Sequence, residues 1–391
     1  MNKTIIIAIL LSGFKLYAQS SIEAVLTEIE KNNTTLSAYR KSMDAEKTGH
    51  KTGLTPNNPE VEFNYLWGNP SAIGNRTDFS IRQSFDFPTA YRYRSQISEL
   101  KTNQAEIEYL KQRNEILFEA RMFCIQLTYL NALHNELDKQ HADAVRIAEA
   151  FNSKFKAGEV GILAFNKSQL HLLNIVSSLR NNEMEKNILL SKLTHLNGGE
   201  PVQFSDSMFT MPQVATDFEM WYAMTEADIP LLQWLKQETD IAHKEVKLNT
   251  ALNMPSFYGG YMSEKVVGQK FEGVTIGIAI PLWENKNKVK YARLKASAMQ
   301  SIQSDAKMQF FNQLQTAHSR VIALQTIVDE YRNNLLLHQN SELLQKAFDK
   351  GEISLTEYLF ERALHYEYIE NLLNMELELA TALAELFKYQ L

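Results

Sequence analysis

The 391-residue sequence contains one cysteine, Cys124, so no disulfide framework can staple the fold and no Cys-x-x-Cys pair is available for a metal or a redox cycle. Basic residues are in deficit, with 40 Lys and Arg against 46 Asp and Glu, which excludes the positive surface that nucleic acid demands. After the first twenty residues no long apolar run occurs, so nothing in the rest of the chain suits a membrane-crossing helix. His-Glu-x-x-His, phosphate-loop and nucleophile-elbow patterns are all missing, and with them any catalytic, cofactor or metal site. His134 and His141 are seven apart, but nothing else at ligand spacing is near, and the 13 methionines are scattered as packing residues. The chain reads as a non-enzyme.

Proline and glycine are missing in a more organised way. Neither occurs from Thr89 to Ala157, between Pro88 and Gly158, nor from Leu282 to Lys350, between Pro281 and Gly351. Each interval is 69 residues, and the two are offset by 193. Around the second breaker, Phe155, Gly158, Glu159, Val160 and Gly161 match Phe348, Gly351, Glu352, Ile353 and Ser354. Upstream, Asn58-Pro59 matches Met254-Pro255, and both open strand patterns. The chain therefore divides into two structural repeats, 19–207 and 208–391, each reading helix, strand, strand, very long helix, turn, helix. The first helix of each repeat is expected over Ile22 to about Lys51 and about Trp221 to Asn249, with a linker near Gly198 to Pro212. An unbroken helix of that length would span roughly 100 Å. Leu110, Leu117 and Cys124 form one apolar stripe on it and Phe118 and Ile125 a second, so it expects a partner on each side, as in a wall of antiparallel helices.

What precedes the first repeat is a leader: Lys3, an apolar run from Thr4 to Phe14, then Leu16-Tyr17-Ala18. That layout is a secretory signal peptide, 1–18, with cleavage expected after Ala18.

The strand patterns have a period of two. Phe79, Ile81, Phe85 and Phe87 alternate with Asp78, Ser80, Arg82, Ser84 and Asp86, and Gln83 alone falls out of step. Val61, Phe63, Tyr65 and Trp67 alternate with Glu62 and Asn64; Phe257, Gly259 and Tyr261 share a face, as do Val274, Ile276, Ile278, Ile280 and Leu282. These lengths suit tilted strands crossing a bilayer, and four strands are too few to close a barrel, so closure requires two or three chains. The alternative is a pair of hairpins capping a soluble helical domain.

The ordered set, with the tip turn Phe348, Gly351, Ser354, Glu357, resembles the TolC-like family of outer-membrane efflux channels. The first-half copy of that turn, Phe155 and Gly158, has Gly161 and Ala164 where the serine and acid stand. The resemblance implies a membrane α+β fold: a homotrimer with a long antiparallel α-helical barrel and a twelve-stranded transmembrane β-barrel, four strands per chain. It implies unbroken long helices, Thr89 to Lys156 and Glu284 to Asp349, and outward-facing loops, Asn69 to Arg76 and Glu264 to Lys270. It places Phe155, Gly158, Glu159, Val160, Phe348, Gly351, Glu352, Ile353 and Ser354 at tips that meet a periplasmic adaptor serving an inner-membrane pump of the RND type. Glu357 and Phe360 would form the pore aperture, and Asp78, Arg82 and Asp86 the barrel lumen. The expected location is the outer membrane of a Gram-negative bacterium, with most of the mass in the periplasm and no cofactor. The expected function is a passive exit duct for small molecules or metal ions, with a type I protein secretion duct or a soluble periplasmic coiled-coil scaffold as alternatives.

Overall fold

The computed structural model describes residues 21–226, 229–337 and 341–390; the expected signal peptide, 1–18, lies outside them. Ser21 opens α1 (Ile22–Asn32) as its N-cap, accepting from the Ala24 amide, and Val25, Leu26 and Ile29 form the buried stripe. The first helix does not run on to Lys51 as its composition suggests. Asn33 is extended, at φ −64° and ψ 118°, and α2 restarts over Thr34–Gly49. The break is held by side-chain amides. Asn33 Nδ2 donates to the Leu196 carbonyl at 2.7 Å and Asn32 Nδ2 to Asn197 Oδ1 at 3.1 Å. The buried Asn197 donates in turn to Glu28 and to the Glu200 carbonyl. Asparagine prefers to satisfy nearby backbone groups over extending a helix.

The second repeat's first helix is likewise divided, into α5 (Phe218–Thr225), capped by Asp217, and α6 (Pro230–Ala251), which starts on a proline whose missing N–H costs nothing there.

Four strands follow the expected alternation: β1 (Glu60–Leu66), β2 (Arg76–Phe85), β3 (Ser256–Val266) and β4 (Gln269–Ala279). All adjacent pairs are antiparallel, and β2 pairs with β3, which joins the two hairpins into one sheet of order β1-β2-β3-β4. Four strand-end expectations are corrected. Trp67, Phe87, Ile280 and Leu282 lie beyond their strands. The expected loop from Glu264 to Lys270 is a two-residue turn, because Val266 already faces Gln269. Val267 and Gly268 both have positive φ there, the backbone twist that a tight hairpin needs.

The first long segment is one helix, α3 (Pro88–Lys156). Its counterpart is helical over α7 (Lys288–Leu337) and α8 (Ser341–Asp349); its expected continuity falls on 338–340, outside the described residues. The helical start expected at Glu284 is corrected: residues 284–287 are turns, and Asn287 has φ 67°. After each tip come α4 (Ile162–Leu196) and α9 (Leu355–Leu386). No described helix is long and apolar enough to cross a membrane.

Contacts divide the described residues into two compact units, one within 21–34, 116–214 and 319–386 and the other within 35–115, 215–318 and 387–390. The first is helical. One of its cores is Ile125, Ala380 and Ala384, against which Phe118, Met122, Phe209 and Met211 pack, so the linker is anchored by its own apolar side chains. The second unit carries the sheet, and an aromatic group of Phe218, Trp221, Tyr222, Phe311 and His318, where His318 Nε2 lies 2.8 Å from the Ala215 carbonyl. Of the stripe residues on α3, Leu117, Cys124 and Ile125 are buried, whereas Leu110 is 42% exposed.

Burial pushes the Cys124 thiol up to about 12, which removes the thiolate needed for reaction. Maleimide labelling should therefore be undetectable in the native protein and complete in denaturant; rapid native labelling would show that α3 opens at this point.

Candidate functional site

Two places carry the functional reading: the faces of the sheet, and the turns after α3 and α8. The register sets the faces. On one, Val61 and Phe63 stand opposite Ile81 and Phe79, Ile81 opposite Tyr261, Phe85 opposite Phe257, and Val274 and Ile278 opposite Tyr261 and Phe257. Among the described residues these side chains are left exposed. Phe63 is 65% exposed, Val274 81% and Ile276 85%. At the turn end the same face becomes polar, with Thr77, Ser263, Lys265, Lys270 and Glu272. Gln83, at the other end, is satisfied within the chain: its Nε2 donates to the Asn57 carbonyl at 2.6 Å.

The opposite face carries charge. Arg82 donates through Nε and Nη2 to Glu60 Oε2 at 3.1 and 2.6 Å across β1 and β2, and its guanidinium lies over the Tyr258 ring at 5.8 Å. Arg76 bridges Asp78 at 2.8 Å and Glu264 at 3.3 Å. Asp78 and Arg82 are thus on the polar face as expected from alternation. Asp86 is not a strand residue; it follows β2, and its Oδ2 holds Arg94 of α3 at 2.6 Å. It fixes the handover from strand to helix.

At the first tip Gly158 has φ 74°, and the Glu159 amide reaches back to the Lys154 carbonyl at 2.9 Å; at the second, Gly351 has φ 73° and the Glu352 amide bonds the Ala347 carbonyl at 2.9 Å. Both are Schellman endings, in which a left-handed residue lets the chain leave the helix with its last carbonyls paired. Glu159 and Glu352 are exposed. Val160 and Ile353, expected to be exposed, instead pack against a core of Ile147, Phe151, Leu355 and Tyr358, because both turns fold back onto an aromatic stack. Phe348 lies between Phe151 and Tyr358, with centroids at 6.5 and 4.4 Å, and Phe155 stacks on Phe165 at 5.0 Å.

Ser354 and Glu357 form a capping box on α9. The Ser354 amide donates to Glu357 Oε2 at 2.8 Å, and the Glu357 amide to Ser354 Oγ at 3.2 Å. The Ser354 amide and hydroxyl hold the Glu357 carboxyl below its ordinary value. Gly161 caps α4 with no side-chain bond, so the departures at Gly161 and Ala164 are the loss of a whole box rather than of one acid. Phe360 is 62% exposed.

Sequence reasoning missed the polar group behind the stack. Tyr358 is fully buried, and its hydroxyl lies 2.8 Å from Asp143 Oδ2 and 2.6 Å from Gln345 Oε1. Asp143 also holds Arg146 at 2.8 Å and Arg362 at 3.4 Å, and Arg146 reaches Asp349 at 3.2 Å. Burial, then the hydrogen bond to Asp143, raises the Tyr358 hydroxyl above its ordinary value. One aspartate on α3 thus ties α9 directly and α8 through Arg146. Nothing in the local sequence marks it, because Tyr358 is 215 residues away and Arg362 also arrives from α9. Among the described residues no group of His, Cys, Asp and Glu could hold a metal.

No protein-family model matches the sequence, and no curated protein does. Solved structures match along nearly its whole length. The Campylobacter jejuni CmeC outer membrane channel shares 16% identity at a TM-score of 0.72, covering 94% of this chain and 85% of that one. CusC, solved for the changes accompanying folding and transmembrane channel formation, shares 14% at 0.75, covering 94% and 91%. The Neisseria gonorrhoeae MtrE outer membrane channel, in its open state, shares 13% at 0.67, covering 95% and 88%. The fold of the chain is the fold of these channels, as the resemblance to the TolC-like family implied.

Tyr358→Phe removes a buried hydrogen bond to a charged group, worth about 1.5–3 kcal/mol. It should lower the thermal midpoint of the purified protein without changing helix content by circular dichroism; an unchanged midpoint would mean that Asp143 is held by its arginines alone.

Proposed function

We propose that the protein is the outer-membrane channel of a tripartite efflux system, a passive duct for small molecules or metal ions delivered by an inner-membrane pump through a periplasmic adaptor. The observation that carries this reading is the sheet: four strands with one uncovered apolar face, one charged face and unpaired edges on β1 and β4. In water such a face is an aggregation surface. In a bilayer it is the required outer surface, provided that every strand edge is paired. Pairing β1 of one chain with β4 of the next closes a barrel, and three chains give twelve strands with the apolar faces in lipid and the Asp78 and Arg82 faces around water. The same uncovered face speaks against a soluble periplasmic scaffold.

The chain is proposed to be a duplication, 19–207 and 208–391. Support comes from the element starts: α5, α6 and β3 begin 196 residues after α1, α2 and β1, and β4 and α9 begin 193 after β2 and α4. The two interrupted first helices therefore break at equivalent places.

Adaptor docking is proposed at the tips, where Phe155, Gly158, Glu159, Phe348, Gly351, Glu352 and Ser354 give two similar turns of rigid shape, with Val160 and Ile353 as their packed base. The aperture is proposed at Glu357 and Phe360. Three copies around an axis would present three carboxylates and three exposed rings to the permeant. Since each carboxylate is engaged in its own cap, Phe360 carries most of the bulk.

The channel reading is tested by reconstitution. Detergent-purified protein should run as a trimer and conduct in planar bilayers, with a higher single-channel conductance for Phe360→Ala; soluble monomer recovered from the periplasm would overturn it. Gly351→Pro forces φ from the left-handed region to about −65°, and removes the amide that bonds the Phe348 carbonyl. Export, read as tolerance to antibiotics and metals in a deletion strain, should be lost while trimer and conductance persist; unchanged tolerance would remove docking from this turn.

A further inference from the structure

The segment leaving α2 walls a cavity of about 250 Å³ together with α3 and α6, lined among others by His50, Gly53, Arg94, Ser98, Lys101 and Leu248. No carboxylate lines it. Two of its three basic groups are already committed. Arg94 is bound to Asp86 at 2.6 Å and lies over the Tyr91 ring at 5.4 Å, and His50 Nε2 is 3.9 Å from Glu46. Lys101 makes no ion pair among the described residues, so the cavity holds one uncompensated positive charge.

Two further features point the same way. Ser98 is only 6% exposed, and among the described residues its hydroxyl has no hydrogen-bond partner. Its oxygen is not sealed from solvent, and since Ser98 lines the cavity its hydroxyl can donate to a ligand there. The turn itself runs out of acceptors: the Thr52 amide bonds the Gly49 carbonyl at 3.0 Å, whereas the Gly53 and Leu54 amides bond nothing among the described residues. Gly53 has φ 68°, and a left-handed residue following right-handed ones gathers successive N–H groups into an anion-binding nest.

We infer that this cavity binds a phosphate ester, with its oxygens taking the Lys101 ammonium, the Ser98 hydroxyl and the turn amides, and its organic part lying against Ile97 and Leu248. The Lys101 ammonium and the turn amides can only donate, which suits an anion, and no carboxylate is present to hold a cation. The volume suits a headgroup-sized molecule rather than a drug-sized one. The same chemistry is offered by a small soluble ester and by a phospholipid headgroup; only the second source rests on the membrane reading of the sheet.

Isothermal titration of the full-length detergent-solubilised protein with inorganic phosphate and with glycerol 3-phosphate should show saturable binding. Lys101→Gln should weaken it about tenfold, roughly the value of one charge-assisted hydrogen bond, and Ser98→Val should also weaken it, while Lys101→Arg keeps it. Absence of binding at millimolar concentrations, or wild-type affinity in both Lys101→Gln and Ser98→Val, overturns the proposal. Native mass spectrometry after reconstitution in phosphatidylglycerol separates the sources. One lipid retained per chain, and lost in Lys101→Gln, assigns the site to the headgroup; phosphate binding without retained lipid assigns it to a free ester. Single-channel conductance of the same samples is an independent readout, so a failed phosphate titration with an intact pore leaves the channel reading standing.

Discussion

The rest of the structure depends on one unmet demand. A four-stranded sheet exposes Val61, Phe63, Val274 and Ile276 on one face and leaves the backbone groups of β1 and β4 unpaired at its edges. Apolar surface seeks a non-aqueous neighbour, and edge amides seek other strands. A single chain can supply neither. Folding a helix over the face would answer the first demand and leave the second. Under the proposed channel reading, lipid on the face and strands of further copies at the edges would answer both.

The helical unit has a different problem, which is to end very long helices cleanly. Its solution is layered. The Schellman turns at Gly158 and Gly351 pair the last carbonyls, an aromatic stack of Phe151, Phe348 and Tyr358 gives the turns something to fold onto, and Asp143 gathers Tyr358, Arg146 and Arg362 behind the stack. The stack is tolerant of small shifts, since dispersion contacts fall off gradually. The Asp143 cluster is not, because it is held by charge-assisted bonds whose geometry is specific. Any rearrangement that separates α9 from α3 must therefore break charge-assisted bonds rather than slide greasy surfaces.

The strands were legible because alternation is a local signal, and Phe79, Ile81 and Phe85 kept their face. The long helix α3 was legible because nothing between Pro88 and Gly158 could stop it. The break at Asn33 was not, since asparagine is tolerated within helices and its partners, Leu196 and Asn197, are remote in sequence. The resemblance to the TolC-like family put Glu357 near an aperture; in the chain it bonds Ser354, three residues away, a pattern that could have been read as a capping box. Val160 and Ile353 were mistaken for exposed contacts because a turn's position says nothing about what it folds against. Asp143 was invisible: one acid among several on a charged helix, distinguished only by a tyrosine that arrives from the other end of the chain.

The hairpin between β3 and β4 is closed by only two residues, Val267 and Gly268. A connection that short has no reach. In a closed barrel it could neither fold inward to plug the mouth nor swing over it as a lid, so on this side only the longer connection between β1 and β2, residues 67–75, could narrow the passage. The protection of a cell carrying such a duct against inward leakage would then depend on that connection and on how tightly the helical ends are held when no cargo is being delivered.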